Sequence, residues 1–266
     1  MIMDAKTYRR NPAVSRSDLM FLEKTPQHYR YHMDNPEEKS TPAMVFGSAV
    51  HKLVLEPEDF HLSYAVLPAG IDRRTREGKA AYENFIQDAA GKTIISEEDY
   101  RKAVQMMEQV YKNPVAEQLL TGTHEESFFW TDPDTGIDCK IRPDCLTTYQ
   151  GKPYIVDYKT TDSCEDGHFE RSCRKYGYKL QAGMYCEGMM QQNFEDYGFA
   201  FVAQEKTEPY AVRVYVCSPE FIREGYDEFR RLIGTLKWCQ DNGRWYGYEG
   251  PDGAVSTLAG EEESDD

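Results

Sequence analysis

Ile141-Arg142-Pro143-Asp144, followed by Ile155-Val156-Asp157-Tyr158-Lys159-Thr160, runs from apolar and β-branched residues into two acids and a lysine. Side chains alternate faces along a strand, so Asp157 and Lys159 project to one side and Val156 and Tyr158 to the other. A turn at Gln150-Gly151 folds the preceding strand back alongside and can bring Asp144 close to Asp157, with Pro143 bending the strand end. Two carboxylates at one point, helped by a backbone carbonyl such as that of Tyr158, make a hard oxygen site suited to Mg²⁺ or Mn²⁺. The adjacent Lys159 ammonium can orient or help deprotonate an attacking water and stabilise charge on a phosphate, so the pattern suits phosphodiester hydrolysis. An isolated Asp-x-Lys at a strand end is ordinarily an exposed ion pair. Here Ile155 and Val156 carry the strand into the core, where an acid and a lysine need partners or a metal.

Outward from this stretch, residues 126–131, 137–142 and 154–160 are short, aromatic and β-branched, and are separated by the turn signals Asp132-Pro133-Asp134-Thr135-Gly136 and Tyr149-Gln150-Gly151-Lys152-Pro153. They predict a β-meander. A helix over about 175–192, strands over 197–204 and 210–216, and a closing helix from 219 to about 240 follow. Upstream, 15–33 predicts two short helices broken at Pro26, and 45–55 a helix closed by Glu56-Pro57. The basic stretch 73–79 leads into a helix-like 80–90, and 97–111 is an amphipathic helix capped by Ser96. This order fits an α/β fold with a central mixed β-sheet flanked by helices and an N-terminal helical elaboration. One domain is expected over 1–257, with about 1–120 mainly helical and 121–240 the catalytic core.

The 266 residues, 40% hydrophobic and 13% aromatic, suffice for one sizeable core. No stretch approaches the roughly 18 to 20 apolar residues of a membrane span, and residues 1–11 lack a signal-peptide apolar segment, so no membrane association is expected. The seven cysteines form no C-x-x-C pair and read as reduced packing thiols. A net charge of −15 excludes a surface coated in positive charge. Part of it sits in the acidic run 258–266, expected to be disordered, and a nucleic-acid substrate needs only a local basic track.

Pro143-Asp144, twelve intervening residues, then Asp157-Tyr158-Lys159 resembles the PD-(D/E)XK signature of the restriction-endonuclease-like superfamily. Phe46-Gly47-Ser48-Ala49-Val50-His51 resembles the histidine motif of its RecB-type branch, and Gln181-Ala182-Gly183-Met184-Tyr185 the Gln-x-x-x-Tyr motif. Ser15-Arg16-Ser17-Asp18-Leu19 and Leu53-Val54-Leu55-Glu56-Pro57-Glu58-Asp59-Phe60 resemble the RecE-like (exonuclease VIII type) nuclease domain of phages and prophages. Together these segments cover roughly residues 14–240.

The resemblance implies that Asp144 and Asp157 are metal ligands, that Lys159 is the catalytic lysine, and that His51 is a further ligand or near neighbour. Glu125 or Glu126 is an extra acid of the site; the two are adjacent and point to opposite faces, so the choice stays open. Gln181 and Tyr185, four apart, share a helix face; DNA binding or ordering of the site is expected of them, although an ordinary amphipathic helix explains the spacing almost as well. The implied activity is that of a Mg²⁺-dependent double-stranded DNA exonuclease, 5′ to 3′, resecting ends for a RecT-like single-strand annealing protein. A homo-oligomer in the cytoplasm of a bacterial host is implied too. An endonuclease or structure-specific nuclease on the same core, or a non-catalytic DNA-binding component of a recombination complex, are the alternatives. Asp144, Asp157 and Lys159 speak against the last.

Some relatives carry an iron–sulfur cluster whose first cysteine precedes a proline near the N-terminus. Here Thr25 precedes Pro26 and only Cys239 lies near the end, so no cluster is expected. Gly91-Lys92-Thr93 lacks the earlier glycine of a P-loop, since Ile86 stands there, and no ATP site is expected. His124-Glu125 is not a zinc motif, because Phe128 occupies the second histidine position. Arg73, Arg74 and Arg76 with Lys79 form the densest basic cluster and are expected to grip the phosphates of an entering DNA strand.

Overall fold

A computed structural model describes residues 3–36 and 41–257; the acidic run at 258–266 lies outside the described residues. The chain opens with α1 (Ala5–Arg10), α2 (Arg16–Lys24), α3 (Pro26–Asp34) and α4 (Pro42–Leu55). After a 3₁₀ turn at Pro57–Asp59 come α5 (Phe60–Ser63), β1 (Tyr64–Leu67), α6 (Arg76–Asp88), β2 (Thr93–Ser96), α7 (Glu97–Lys112) and α8 (Pro114–Leu119). The second half runs β3 (Thr123–His124), β4 (Phe128–Thr131), β5 (Asp138–Ile141), β6 (Cys145–Tyr149), β7 (Lys152–Thr161), α9 (Asp166–Lys175), α10 (Tyr178–Asn193), β8 (Gly198–Glu205), β9 (Val212–Val216) and α11 (Pro219–Asn242).

Local chemistry sets most helix starts. Ser15 and Asp18 form a reciprocal capping box on α2, Thr25 caps α3 ahead of Pro26, and Thr41 caps α4 ahead of Pro42. Ser96 caps α7, whose first turn places Glu97, Glu98 and Asp99 at the positive end of the helix dipole.

The central sheet has the order β3-β6-β7-β8-β9, antiparallel except for the parallel pair β7 and β8. It is a mixed sheet with helices on both faces. Ile155, Phe199, Phe201 and Ala203 pack on one side against Leu180, Met184, Phe229, Leu232 and Leu236 of α10 and α11. Val156, Tyr158, Ala200 and Val202 pack on the other against Val50, Leu53 and Val54 of α4 and Met106 and Val110 of α7. Each buried Val, Leu, Ile, Phe or Met among these contributes about 1.5–3 kcal/mol. The alternation expected along β7 is thus observed, with Val156 and Tyr158 facing α4. Among the described residues no helix is long and apolar enough to cross a membrane.

The meander expected over 126–160 is different in the structure. β4 and β5 form their own antiparallel hairpin, and the strand that pairs with β7 is β6, which lies between the expected strand 137–142 and the expected turn 149–153. Pro143 is the physical reason: with no N–H to donate it cannot continue a ladder, so β5 stops at Ile141 and a new strand starts at Cys145. The helix expected over about 175–192 is α10, which starts after Gly177, whose φ of 63° lies in the left-handed region; the separate helix α9 before it is not expected from the sequence. The parallel pair β1 and β2 and the short α1 carry too little periodicity to be read locally.

α10 and α11 cross with their backbones in contact. A Cβ on Gly183 would lie 2.0 Å from the Tyr226 nitrogen, and one on Gly225 would lie 1.8 Å from the Lys179 carbonyl oxygen. This close approach holds α10 over β7 and sets where Gln181 points.

Candidate active site

β6 and β7 are joined by Gln150 and Gly151, both at positive φ (50° and 76°), as a two-residue hairpin turn requires. The register places Cys145 opposite Val156, so Asp144, one residue before β6 begins, lies beside Asp157 and Tyr158. The Tyr158 backbone N–H donates to Asp144 Oδ2 at 2.8 Å. In an antiparallel ladder the N–H and C=O of one residue face the same neighbour. The Tyr158 carbonyl therefore faces the same edge of β7, which β6 leaves open.

Asp157 is 2% exposed. Its Oδ1 accepts a hydrogen bond from the Gln181 amide nitrogen, and Gln181 Oε1 accepts in turn from an Arg16 guanidinium nitrogen at 3.0 Å. Its Oδ2 lies 2.5 Å from Lys159 Nζ, yet this buried oxygen has no aligned hydrogen bond. Lys159 also sits 5.0 Å from the centre of the Tyr178 ring. His51, reaching over from α4, places Nδ1 3.6 Å from Asp144 Oδ2 and its ring edge-on to Tyr158.

The electrostatics follow from crowding acids in a buried place. Burial first, and then the charge of Asp157, push the Asp144 carboxyl up. Burial and the nearby Lys159 push His51 down, which keeps a neutral imidazole available as a ligand. Glu125 is pushed up to about 7 by burial and then by Asp144. Its backbone N–H donates to the Asp144 carbonyl at 3.3 Å and its carboxylate pairs with Arg142 at 2.6 Å. Glu125 is thus tied to Asp144 by both charge and a backbone hydrogen bond.

Among the described residues no group of three or more His, Cys, Asp or Glu side chains is drawn together as a ready-made metal cage. The donor set nevertheless fits a hard divalent cation that keeps several waters. It offers a buried Asp157 oxygen without an aligned donor, an Asp144 carboxyl whose ionised form its neighbour disfavours, and an open edge at the Tyr158 carbonyl. A cation there would relieve all three.

The other expected residues divide. Gln181 is 4% exposed with both ends of its amide engaged, which suits ordering Asp157. Tyr185 packs against the core with its ring edge-on to Phe199. The basic cluster stands apart: Arg73 lies over the Tyr82 ring, Arg74 forks onto Asp72 at 2.9 and 3.1 Å, and Arg76 and Lys79 open α6, which buries no residue. Among the described residues no hydrogen bond, ion pair or ring contact joins this cluster to Asp144, Asp157 or Lys159. Sequence reasoning missed Arg16, Arg142 and Tyr178 as neighbours of the site. Of these, Arg16 lies in the 15–19 block and Arg142 in the 141–144 stretch, while Tyr178 carried no local signal.

The family described as a PDDEXK-like domain of unknown function, DUF3799, matches residues 15–251. Among solved structures, the crystal structure titled "Putative exonuclease" from Eubacterium rectale is similar over 98% of this chain and 96% of its own, at 15% identity and a TM-score of 0.63, which shows a shared fold. The crystal structure of SSO0001 aligns over 73% of this chain and 88% of its own, at 12% identity and a TM-score of 0.30, too low to carry an argument. No curated protein matches the chain.

Proposed function

The chain belongs to the DUF3799 family of PDDEXK-like domains, and from that premise we propose that it is a divalent-metal-dependent DNA nuclease with Asp144, Asp157 and Lys159 at its catalytic centre. One observation carries the reading. Two carboxylates and an ammonium meet at the open edge of β7, with Asp144 held by the Tyr158 amide and Lys159 Nζ 2.5 Å from Asp157.

Asp144 and Asp157 would hold Mg²⁺ or Mn²⁺, with the Tyr158 carbonyl and His51 beside them and Glu125 as an outer acid. Bound there, the ion would polarise a phosphoryl oxygen and lower the pKa of bound water. The chain supplies the rest. The Lys159 ammonium orients the attacking water and stabilises negative charge gathering on the phosphate. Gln181 fixes the Asp157 carboxylate, and Arg16 fixes Gln181, so the ligand oxygen does not have to be ordered during turnover.

The finer reading is an exonuclease on duplex DNA ends, RecE-like and 5′ to 3′, working as a homo-oligomer beside a RecT-like annealing protein in a bacterial cytoplasm. The blocks at 15–19 and 53–60 support it, as does the exonuclease name borne by the Eubacterium rectale neighbour. Digestion of linear and closed circular duplex with Mg²⁺, using 5′- and 3′-labelled ends, tests both levels. Loss of linear DNA alone, with 5′ label released first, is expected. Cutting of closed circles moves the reading to an endonuclease, and binding without cutting to a non-catalytic component.

A further inference from the structure

Immediately past Lys159 the chain borders a cavity of about 320 Å³. Tyr178 lines it and also holds Lys159 over its ring, so the cavity and the acid pair share a wall. His168, Arg171 and Lys175 of α9 reach into it, together with Lys206 just beyond β8. The three α9 residues are spaced three and four apart and share one helix face, while Phe169 and Cys173 bury the other at 2% and 7% exposure. The helix that presents them is anchored. Phe169 stacks on Tyr215 with ring centres 4.4 Å apart, and Asp166 pairs with Arg213 at 2.8 Å.

In a chain of net charge −15 this is a local reversal of sign. The one carboxylate on the cavity wall, Asp162, is tied to Lys206 at 2.6 Å. Among the described residues no carboxylate lies within ion-pair distance of His168, Arg171 or Lys175. By contrast Arg74, in the basic cluster ahead of α6, already has its guanidinium forked onto Asp72.

We propose that this cavity binds backbone phosphates of the DNA strand being cut, next to the scissile one, and that α9 rather than the segment ahead of α6 is the strand's main electrostatic track. The inference rests on the nuclease reading above. A guanidinium fork and an ammonium on one rigid helix face match phosphate oxygens. Cationic contacts of this kind hold a strand without reading its sequence.

The test compares the parent with Arg171→Gln/Lys175→Gln and with the charge-conserving Arg171→Lys/Lys175→Arg. Affinity for a linear duplex is measured over a salt series with Ca²⁺ in place of Mg²⁺, beside thermal melting and, in Mg²⁺, cleavage. The glutamine pair is expected to weaken binding by on the order of tenfold and to lower the slope of log affinity against log salt by about two units, while the charge-conserving pair keeps the parental slope. Both side chains are exposed, so the fold should hold; if the glutamine pair melts early, Lys175→Glu alone gives the same comparison. Parental affinity and slope in a folded glutamine variant, with a parent that binds and cuts, would overturn the α9 track and leave the nuclease reading standing. A parent that neither binds nor cuts DNA overturns both.

Discussion

Gln181 on α10 donates its side-chain amide to Asp157 on β7 and accepts from Arg16 at the start of α2, so a relay of two hydrogen bonds links three segments distant in sequence through the Gln181 amide. Gln181→Ala should lower turnover about 10- to 100-fold and raise the Mg²⁺ concentration needed for half-maximal rate. A Mg²⁺ titration of the cleavage rate checks it. A lower melting temperature with an unchanged Mg²⁺ requirement would reduce Gln181 to a packing residue.

Asp144→Ala and Asp157→Ala should each abolish digestion while duplex association and melting stay near the parent, because each removes a hard ligand from the open edge of β7. Digestion and melting are measured together. Turnover within about tenfold of the parent, a loss of only about 1.4 kcal/mol of transition-state stabilisation, would remove that residue from the centre.

Lys159→Ala should lose cleavage and keep the metal, since its ammonium touches Asp157 Oδ2 and acts on water and phosphate. Calorimetric titration with Mg²⁺ or Mn²⁺ separates the two effects. An unchanged cleavage rate would leave Lys159 as the ion-pair partner of Asp157 alone.

Replacing Arg73, Arg74 and Arg76 together by alanine should make the salt dependence of DNA binding shallower by about one unit at most, less than the α9 glutamine pair does, because the cluster stands apart from the acids and Arg74 is already engaged by Asp72. Cleavage should also become more distributive. The salt series decides, and a parental slope would leave the cluster a solvated surface.

Asp132 is fully buried at the β4–β5 turn and ties it to α11 through Arg230. Burial pushes its carboxyl up, but hydrogen bonds from Arg230 and Thr135 outweigh that and hold it below the ordinary value of 3.8. A depressed acid contributes stability that is present above its unfolded pKa and is lost as pH falls through the folded one. The parent should therefore lose melting temperature below about pH 3.8, and Asp132→Asn should flatten that acid limb. At neutral pH the variant should be less stable by about 1.5–3 kcal/mol, the worth of a hydrogen bond to a charged group, since Arg230 keeps Asp134 as a partner. Melting curves from pH 2 to 7 check both limbs.

The elements legible in the sequence were those whose signal is local. Ser96 as the cap of α7, the break at Pro26 and the alternating faces of β7 each depend on residues within a few positions, and each is found where expected. The approach of Asp144 to Asp157 was legible for the same reason, since a two-residue turn at Gln150-Gly151 sets the register of the strands it joins. Strand partnership was not, because a ladder hydrogen bond is made with whatever backbone lies alongside. Only the folded chain shows that β6, and not β5, is the neighbour of β7. The placement of Glu125 beside Asp144 goes with a positive φ of 53° where the chain turns out of β3, which no local pattern announces. The aim of Gln181 at Asp157 depended on backbone contact between Gly183 and Gly225, residues on different helices. The basic cavity beside Lys159 likewise needs α9, β7 and Lys206 to meet. Periodicity and capping reside in neighbouring residues and can be read along the chain; contacts between segments far apart in sequence exist only once packing has chosen the partners.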